Sequence, residues 1–164
     1  MILNNISEDL IKWYQMNQRL LPWRTSKDPY IIWLSEIILQ QTRIDQGQKY
    51  WGKFLNKFPS IQNLASAKES EVLALWSGLG YYSRARNIHK TSKIIVKKYS
   101  NKFPSSSREL AELPGIGPYT AAAISSICFN EVIPALDGNA FRVYSRLFGV
   151  DLPIEKKIAI NTIK

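Results

Sequence analysis

Apolar positions recur at three- and four-residue intervals along nearly the whole chain, and no stretch of strand length alternates apolar with polar residues. The pattern predicts an all-α protein built from helices of roughly 8 to 20 residues. A first amphipathic helix covers Ile6 to Gln18 with Leu10, Ile11, Trp13 and Tyr14 as its stripe, and the turn Leu21 to Trp23 ends it. Asp28-Pro29 then supplies an N-cap and a first-turn proline for a second helix running to about Gln40. Its first half is so apolar that it must be buried. Ser66 with Glu69, and Ser106 with Glu109, have the spacing of a capping box and mark two further helix starts.

The sequence KFPS at Lys57 to Ser60 returns at Lys102 to Ser105. Each copy leads into a capped helix and then a Gly-x-Gly, GLGYYSRA at Gly78 to Ala85 and GIGPYTAA at Gly115 to Ala122. Both read as helix, tight glycine turn, helix. The interval differs by eight residues between the copies, which makes this a local unit used twice rather than a solenoid repeat. The last segment, LPIEKKIAINTIK, opens a helix at Pro153 but has no closing glycine and no apolar partner, so the chain reads as truncated. Apolar surface is expected on the first helix and at Ile154, Ile158 and Ile163.

Composition narrows the class. With 164 residues, 45% hydrophobic and 12% aromatic, disorder and fibre are excluded. The longest apolar run, Tyr30 to Leu34, is far short of the ~20 residues a bilayer requires, so no membrane partner is expected. The first residues lack the basic and apolar regions of an export signal. One cysteine, Cys128, and one histidine cannot assemble a metal site from this chain, and a reducing, cytoplasmic setting fits best, at the nucleoid if the source is bacterial.

The net charge is +9, and from Val72 to Arg108 there is no acid while Arg84, Arg86, Lys90, Lys93, Lys97, Lys98, Lys102 and Arg108 supply cations. Such a one-signed field favours a polyanion, nucleic acid first. The competing reading is a solvated lysine face, since helical spacing scatters these residues around the axis.

Three features can carry chemistry. In LPGIGPYTAAAI, Gly115 and Gly117 permit a turn at positive φ and Pro118 opens a helix, leaving free amides for a phosphate; a plain hairpin turn is the alternative. Glu36 lies among Ile32, Trp33, Leu39 and Gln40, where burial holds a carboxyl protonated near neutral pH, as a general acid requires. The alternative is a buried acid satisfied by an amide or an arginine. Asp137, in PALDGNAFRV, reads as a helix N-cap whose carboxylate stays ionised and suits stabilisation of a cation. Two carboxyls in opposed environments are what breaking a glycosidic bond through an oxocarbenium-like state calls for. Gln40-Gln41-Thr42 at the end of the Glu36 helix and Tyr81-Tyr82 after the first glycine turn offer the flat or amide-bearing shape of wedges that fill the hole left by a flipped nucleotide; core packing is the other role open to either tyrosine, and one of the two is expected in the core.

Taken together, LPWR, DPYIIWLSEIILQQT, LWSGLGYYSRARNIHK, LPGIGPYTAAAI and ALDGNAFRVYSRLFGV resemble the helix-hairpin-helix DNA glycosylases, and within them the adenine-excising, MutY-type branch, almost continuously from Leu21 to Val150. The resemblance implies a six-helix barrel over residues 25–135, with the hairpin motif at about 109–128. Residues 1–24 and 136–164 would belong to an incomplete second, iron-sulfur lobe. It implies Glu36 as the acid that protonates the adenine ring, Asp137 as stabiliser of the sugar cation, and Asn139 and Tyr119 as hydrogen-bonding groups around it. Trp23 and Arg24 would border the extruded base, Gln41 and Tyr81 would fill the stack, and Gly115, Ile116, Gly117, Thr120, Arg84 and Arg86 would hold phosphate.

The implied partner is double-stranded DNA with adenine opposite 8-oxoguanine or guanine, bound by a monomer. The endonuclease III-like glycosylase/lyases for oxidised pyrimidines carry a Schiff-base lysine where this chain has Tyr119, which implies a monofunctional hydrolase. That lyase class, and a non-catalytic DNA-binding module that keeps only the hairpin, are the alternatives. The family's 4Fe-4S cluster is implied for full-length relatives, but its four cysteines, the 8-oxoguanine-reading domain and a glutamate of the base pocket have no counterpart here.

Overall fold

The computed structural model describes residues 2–150, with side chains from residue 6 onward, and these residues form helices and loops with no strand among them. In chain order the helices are α1 (Ile2–Asn17), α2 (Pro29–Ile38), α3 (Ile44–Lys57), α4 (Ile61–Ser66), α5 (Glu69–Trp76), α6 (Ser83–Lys98), α7 (Ser107–Leu110), α8 (Pro118–Phe129) and α9 (Gly138–Leu147), with a 3₁₀ turn at Pro22–Thr25. The all-α expectation holds.

Helix α2 organises the core because it is apolar nearly all round and must be surrounded. Tyr30, Ile32, Trp33, Leu34, Ile37 and Ile38 are all buried, and α3, α6 and α8 pack around them. The Asp28 carboxylate accepts the Tyr30 N–H at 2.8 Å and starts the helix as predicted. It stops at Ile38, short of Gln40, since Gln41 turns left-handed at φ +56°. Edge-to-face rings close the packing, Phe54 on Trp76 at 5.7 Å and Trp33 on Phe103 at 5.5 Å.

One of the two capping-box expectations is revised. Ser66 does not begin a helix; it is the last residue of α4, its hydroxyl donating to the Gln62 and Asn63 carbonyls. Ser60 caps α4 upstream by accepting the Asn63 N–H, and α5 starts at Glu69, where the Glu71 carboxylate accepts the Lys68 N–H at 3.0 Å. That backbone bond, first among its causes, holds the exposed Glu71 carboxyl below its ordinary value. Residues 25–135 contain α2 to α8. The Ser106–Glu109 pair does behave as a capping box: Ser106 accepts the Glu109 N–H and donates to its carboxylate at 2.7 Å.

Helix α1 starts before Ile6, and its stripe of Leu10, Ile11 and Trp13 is exposed, as are Val143, Leu147 and Phe148 on α9. Ile154, Ile158 and Ile163 lie outside the described residues. Among the described residues no helix is long and apolar enough to cross a membrane.

Candidate active site

The segment between α7 and α8 is a tight hairpin pinned to α6. Thr91 donates its hydroxyl proton to the Pro114 carbonyl at 2.8 Å. Gly115 adopts φ +79°, and a Cβ there would stand 2.7 Å from the Asn87 Cβ, so both conformation and space demand glycine. Gly117, expected at positive φ, is instead extended at φ −81° and serves as the N-cap of α8, with Pro118 following. Ile116 does not offer its amide: that N–H is bonded to the Leu113 carbonyl and its side chain is buried. Thr120 is buried as well, so its hydroxyl is not on offer to a phosphate at the surface. The amides of Gly117, Tyr119 and Thr120 find no acceptor among the described residues and open at a helix N-terminus, where an anion is favoured.

The hairpin places Tyr119 within electrostatic reach of both candidate carboxyls, Glu36 and Asp137. Tyr119 is 41% exposed. Burial, and then the charges of Glu36 and Asp137, push its phenol up from the ordinary value, so it stays a protonated hydrogen-bond donor. Glu36 stands on α2, which packs against the Tyr119 helix α8. Its carboxyl is partly buried, makes no hydrogen bond or ion pair among the described residues, and is raised above its ordinary value by desolvation.

Asp137 arrives as the N-cap of α9. Its Oδ1 accepts the Ala140 N–H at 2.7 Å and its Oδ2 accepts a proton from the exposed Asn139 amide at 3.2 Å. Beside Tyr119 runs a groove of about 460 Å³ lined by Pro118, Ala122, Ile133, Pro134, Leu136 and Phe141. Sequence reasoning passed over Leu136 and Phe141, although both flank the Asp137 cap within the same motif. A second cavity of about 460 Å³ touches Tyr30, Ser60, Lys102 and Phe129, but its carboxylate, Asp28, is engaged in capping α2.

The other assigned residues have partners of their own. Trp23 is 6% exposed and stacks edge-on against Trp51 at 5.4 Å, which makes it a wall of the core rather than of an open base pocket. Arg24 is exposed, donates to the Arg19 carbonyl at 3.3 Å and lies over the Tyr14 ring. Arg84 cannot hold phosphate. It is 8% exposed and its guanidinium is directed at backbone carbonyls of two loops. Arg86 is exposed but stands 3.6 Å from the Glu69 carboxylate. Lys90, Lys93, Lys97, Lys98, Lys102 and Arg108 remain exposed along the acid-free stretch.

Tyr82 is exposed, as is Tyr81, so neither tyrosine joins the core. Gln41 and Tyr81 are both exposed loop residues, Tyr81 at 66%, and both take a left-handed φ, +56° and +46°. For non-glycine residues that conformation costs ~1 kcal/mol or more and persists only where the surroundings hold it.

A four-thiolate cluster does not fit the residues present. The sequence has one cysteine, Cys128, and among the described residues no three of His, Cys, Asp or Glu gather into a metal-binding group.

Comparison with known proteins adds an independent line. Residues 34–163 match the model of the HhH-GPD superfamily base excision DNA repair proteins. The chain is 46% identical over 158 residues to the adenine DNA glycosylase of Buchnera aphidicola from Acyrthosiphon pisum, covering 93% of this chain and 45% of that protein. It is 39% identical over 147 residues to the adenine DNA glycosylase of Homo sapiens, covering 84% of this chain and 27% of that protein. The chain thus spans less than half the length of these curated relatives. Among solved structures, a thermostable thymine-DNA glycosylase superposes with a TM-score of 0.87 at 25% identity, covering 98% of this chain and 76% of that one. Endonuclease III in a non-covalent DNA complex superposes at 0.76 with 22% identity, covering 98% of this chain and 77% of that one, and supports the fold.

Proposed function

The chain belongs to the HhH-GPD superfamily of base excision DNA repair proteins, and from that membership we propose that it removes adenine mispaired with 8-oxoguanine or guanine by hydrolysing the N-glycosidic bond. The observation that supports this reading is that Tyr119, which lines a groove open to solvent, feels the charges of both Glu36 and Asp137. In this scheme the neutral Glu36 carboxyl gives its proton to the adenine ring as the bond to the sugar carbon breaks and its electron pair leaves with the base. The sugar is left as an oxocarbenium-like cation, and the Asp137 carboxylate supplies the negative field that lowers its energy. Water then adds to the sugar carbon, and the carboxylate now at Glu36 takes up the water's proton, which restores the starting acid. No cluster takes part in any of these steps.

Tyr119 supports the monofunctional reading. A phenol has no amine nitrogen and so forms no imine with an abasic sugar, whatever its protonation state. Incubation with a duplex bearing adenine opposite 8-oxoguanine is expected to release free adenine and leave an intact abasic strand, with no covalent adduct after borohydride. A trapped adduct, or release of an oxidised pyrimidine in preference to adenine, would place the chain with the lyases instead. The absence of any released base would leave only a DNA-binding role.

The six exposed cations of the acid-free stretch are assigned to the DNA backbone in this scheme. If they and the hairpin neutralise about four phosphates, duplex affinity falls roughly 100-fold between about 50 and 200 mM salt. Fluorescence anisotropy over that range measures the slope, and a flat response would remove the backbone role.

A further inference from the structure

Arg84 joins two loops that are remote in sequence. Its Nη1 donates to the carbonyls of Ile37 at 3.2 Å, Ile38 at 3.1 Å and Gln40, and its Nη2 donates to Leu79 at 3.2 Å and Gly80 at 3.5 Å. The guanidinium carbon lies 5.0 Å from the Trp76 ring centre and 5.7 Å from that of Tyr81. Trp76 in turn donates its indole N–H to the Gly80 carbonyl at 2.9 Å. Gln40 immediately precedes Gln41, and Gly80 immediately precedes Tyr81. The two exposed tips with left-handed backbones therefore hang from one buried cation.

We propose that Arg84 is a positioning residue that holds the Gln41 and Tyr81 tips at one fixed separation, so that they enter a DNA base stack as a single rigid wedge. The inference rests on the reading of this chain as a DNA glycosylase and concerns how the duplex is opened. A guanidinium suits the task because its terminal nitrogens are spread in a plane and reach acceptors on both loops together. An ammonium has three donors on one nitrogen and cannot reproduce the planar spread of five acceptor contacts across both loops.

The full chain is mixed with a duplex that carries a tetrahydrofuran abasic analogue opposite 2-aminopurine, whose fluorescence rises when its stack is opened. The unsubstituted protein is expected to raise the signal, and Arg84→Lys to cut that rise by about 5-fold while anisotropy shows duplex affinity changed by less than about 2-fold. In a Gln41→Ala, Tyr81→Ala background the rise is lost, and adding Arg84→Lys changes nothing further, the non-additivity expected of groups acting as one unit. An undiminished rise in Arg84→Lys, or no rise with the unsubstituted protein, overturns the proposal. An equal fractional loss with and without the tips does so too, because it assigns Arg84 a general structural role.

Spin labels at Gln41→Cys and Tyr81→Cys in a Cys128→Ser background read the separation without touching Arg84. One narrow distance, unchanged by the tetrahydrofuran duplex, is expected, and a broad distribution that narrows only on DNA contradicts a preset clamp. Neither readout needs a base to be cut, so a protein that released no adenine would overturn the proposed function while these measurements still judged the clamp.

Discussion

Glu36→Gln is expected to slow adenine release by roughly 10²- to 10⁴-fold, the range over which a positioned general acid acts, while the protein folds as well as before or better. Glutamine keeps the shape and polarity of the side chain and removes only the proton that the base must receive. The stability side follows from the direction of the shift. Burial raises the Glu36 carboxyl in the folded protein above its unfolded value. The cost of ionising it is absent at acid pH, where both states are protonated, and grows as pH rises through the folded value.

Thermal unfolding of the two proteins should therefore coincide at low pH and separate toward neutral pH, with the variant favoured. The rate has the matching dependence. Single-turnover adenine release by the unsubstituted protein should decline as pH climbs past the raised value, because the acid form is the competent one. Equal rates for Glu36→Gln and the unsubstituted protein would remove the catalytic assignment.

The second large effect is expected at Asp137, where two roles can be pulled apart. Asparagine is as good an N-cap as aspartate, and an amide oxygen can still accept the Ala140 N–H that now binds Oδ1. Asp137→Asn should thus unfold close to the unsubstituted temperature yet lose roughly 10²- to 10³-fold in rate, the magnitude of a missing electrostatic stabiliser at a charged transition state. Asp137→Ala loses the cap too and should cost a further ~1 kcal/mol of stability. Calorimetry beside a single-turnover assay separates the two. Full activity in Asp137→Asn would leave that residue as a helix cap and nothing more.

What the chain discloses in advance depends on how local the determining physics is. The burial of α2, its Asp28 cap, the Ser106 capping box and the Asp137 cap all rest on residues within a turn of one another, and each is legible. The Ser66 start misleads because Ser-x-x-Glu also arises where one helix ends just before the next begins. Helix α3 goes unmarked for a related reason: Arg43, with no side-chain capping bond, stands where a cap would announce it. The chemistry-bearing types at Glu36, Tyr119 and Asp137 are readable one by one, but that the helix of Glu36 packs against the helix of Tyr119 is a contact between segments about eighty residues apart, which no local pattern announces.

Arg84 marks the clearest boundary. A count of cations along a stretch records sign and spacing and is silent on which one turns inward, so a residue grouped with the phosphate ligands proves to be tied to carbonyls. Trp23 is the aromatic counterpart, a ring suited to a base pocket that the core takes up through Trp51.

The close approach of Gly115 to Asn87 limits how this lineage can drift. A bulkier residue at 87 would lift the hairpin away from α6, and no substitution at 115 could make room, since glycine is already the smallest option. The two positions are bound to one another across generations, with 87 free to shrink and barred from growing for as long as the turn stays seated.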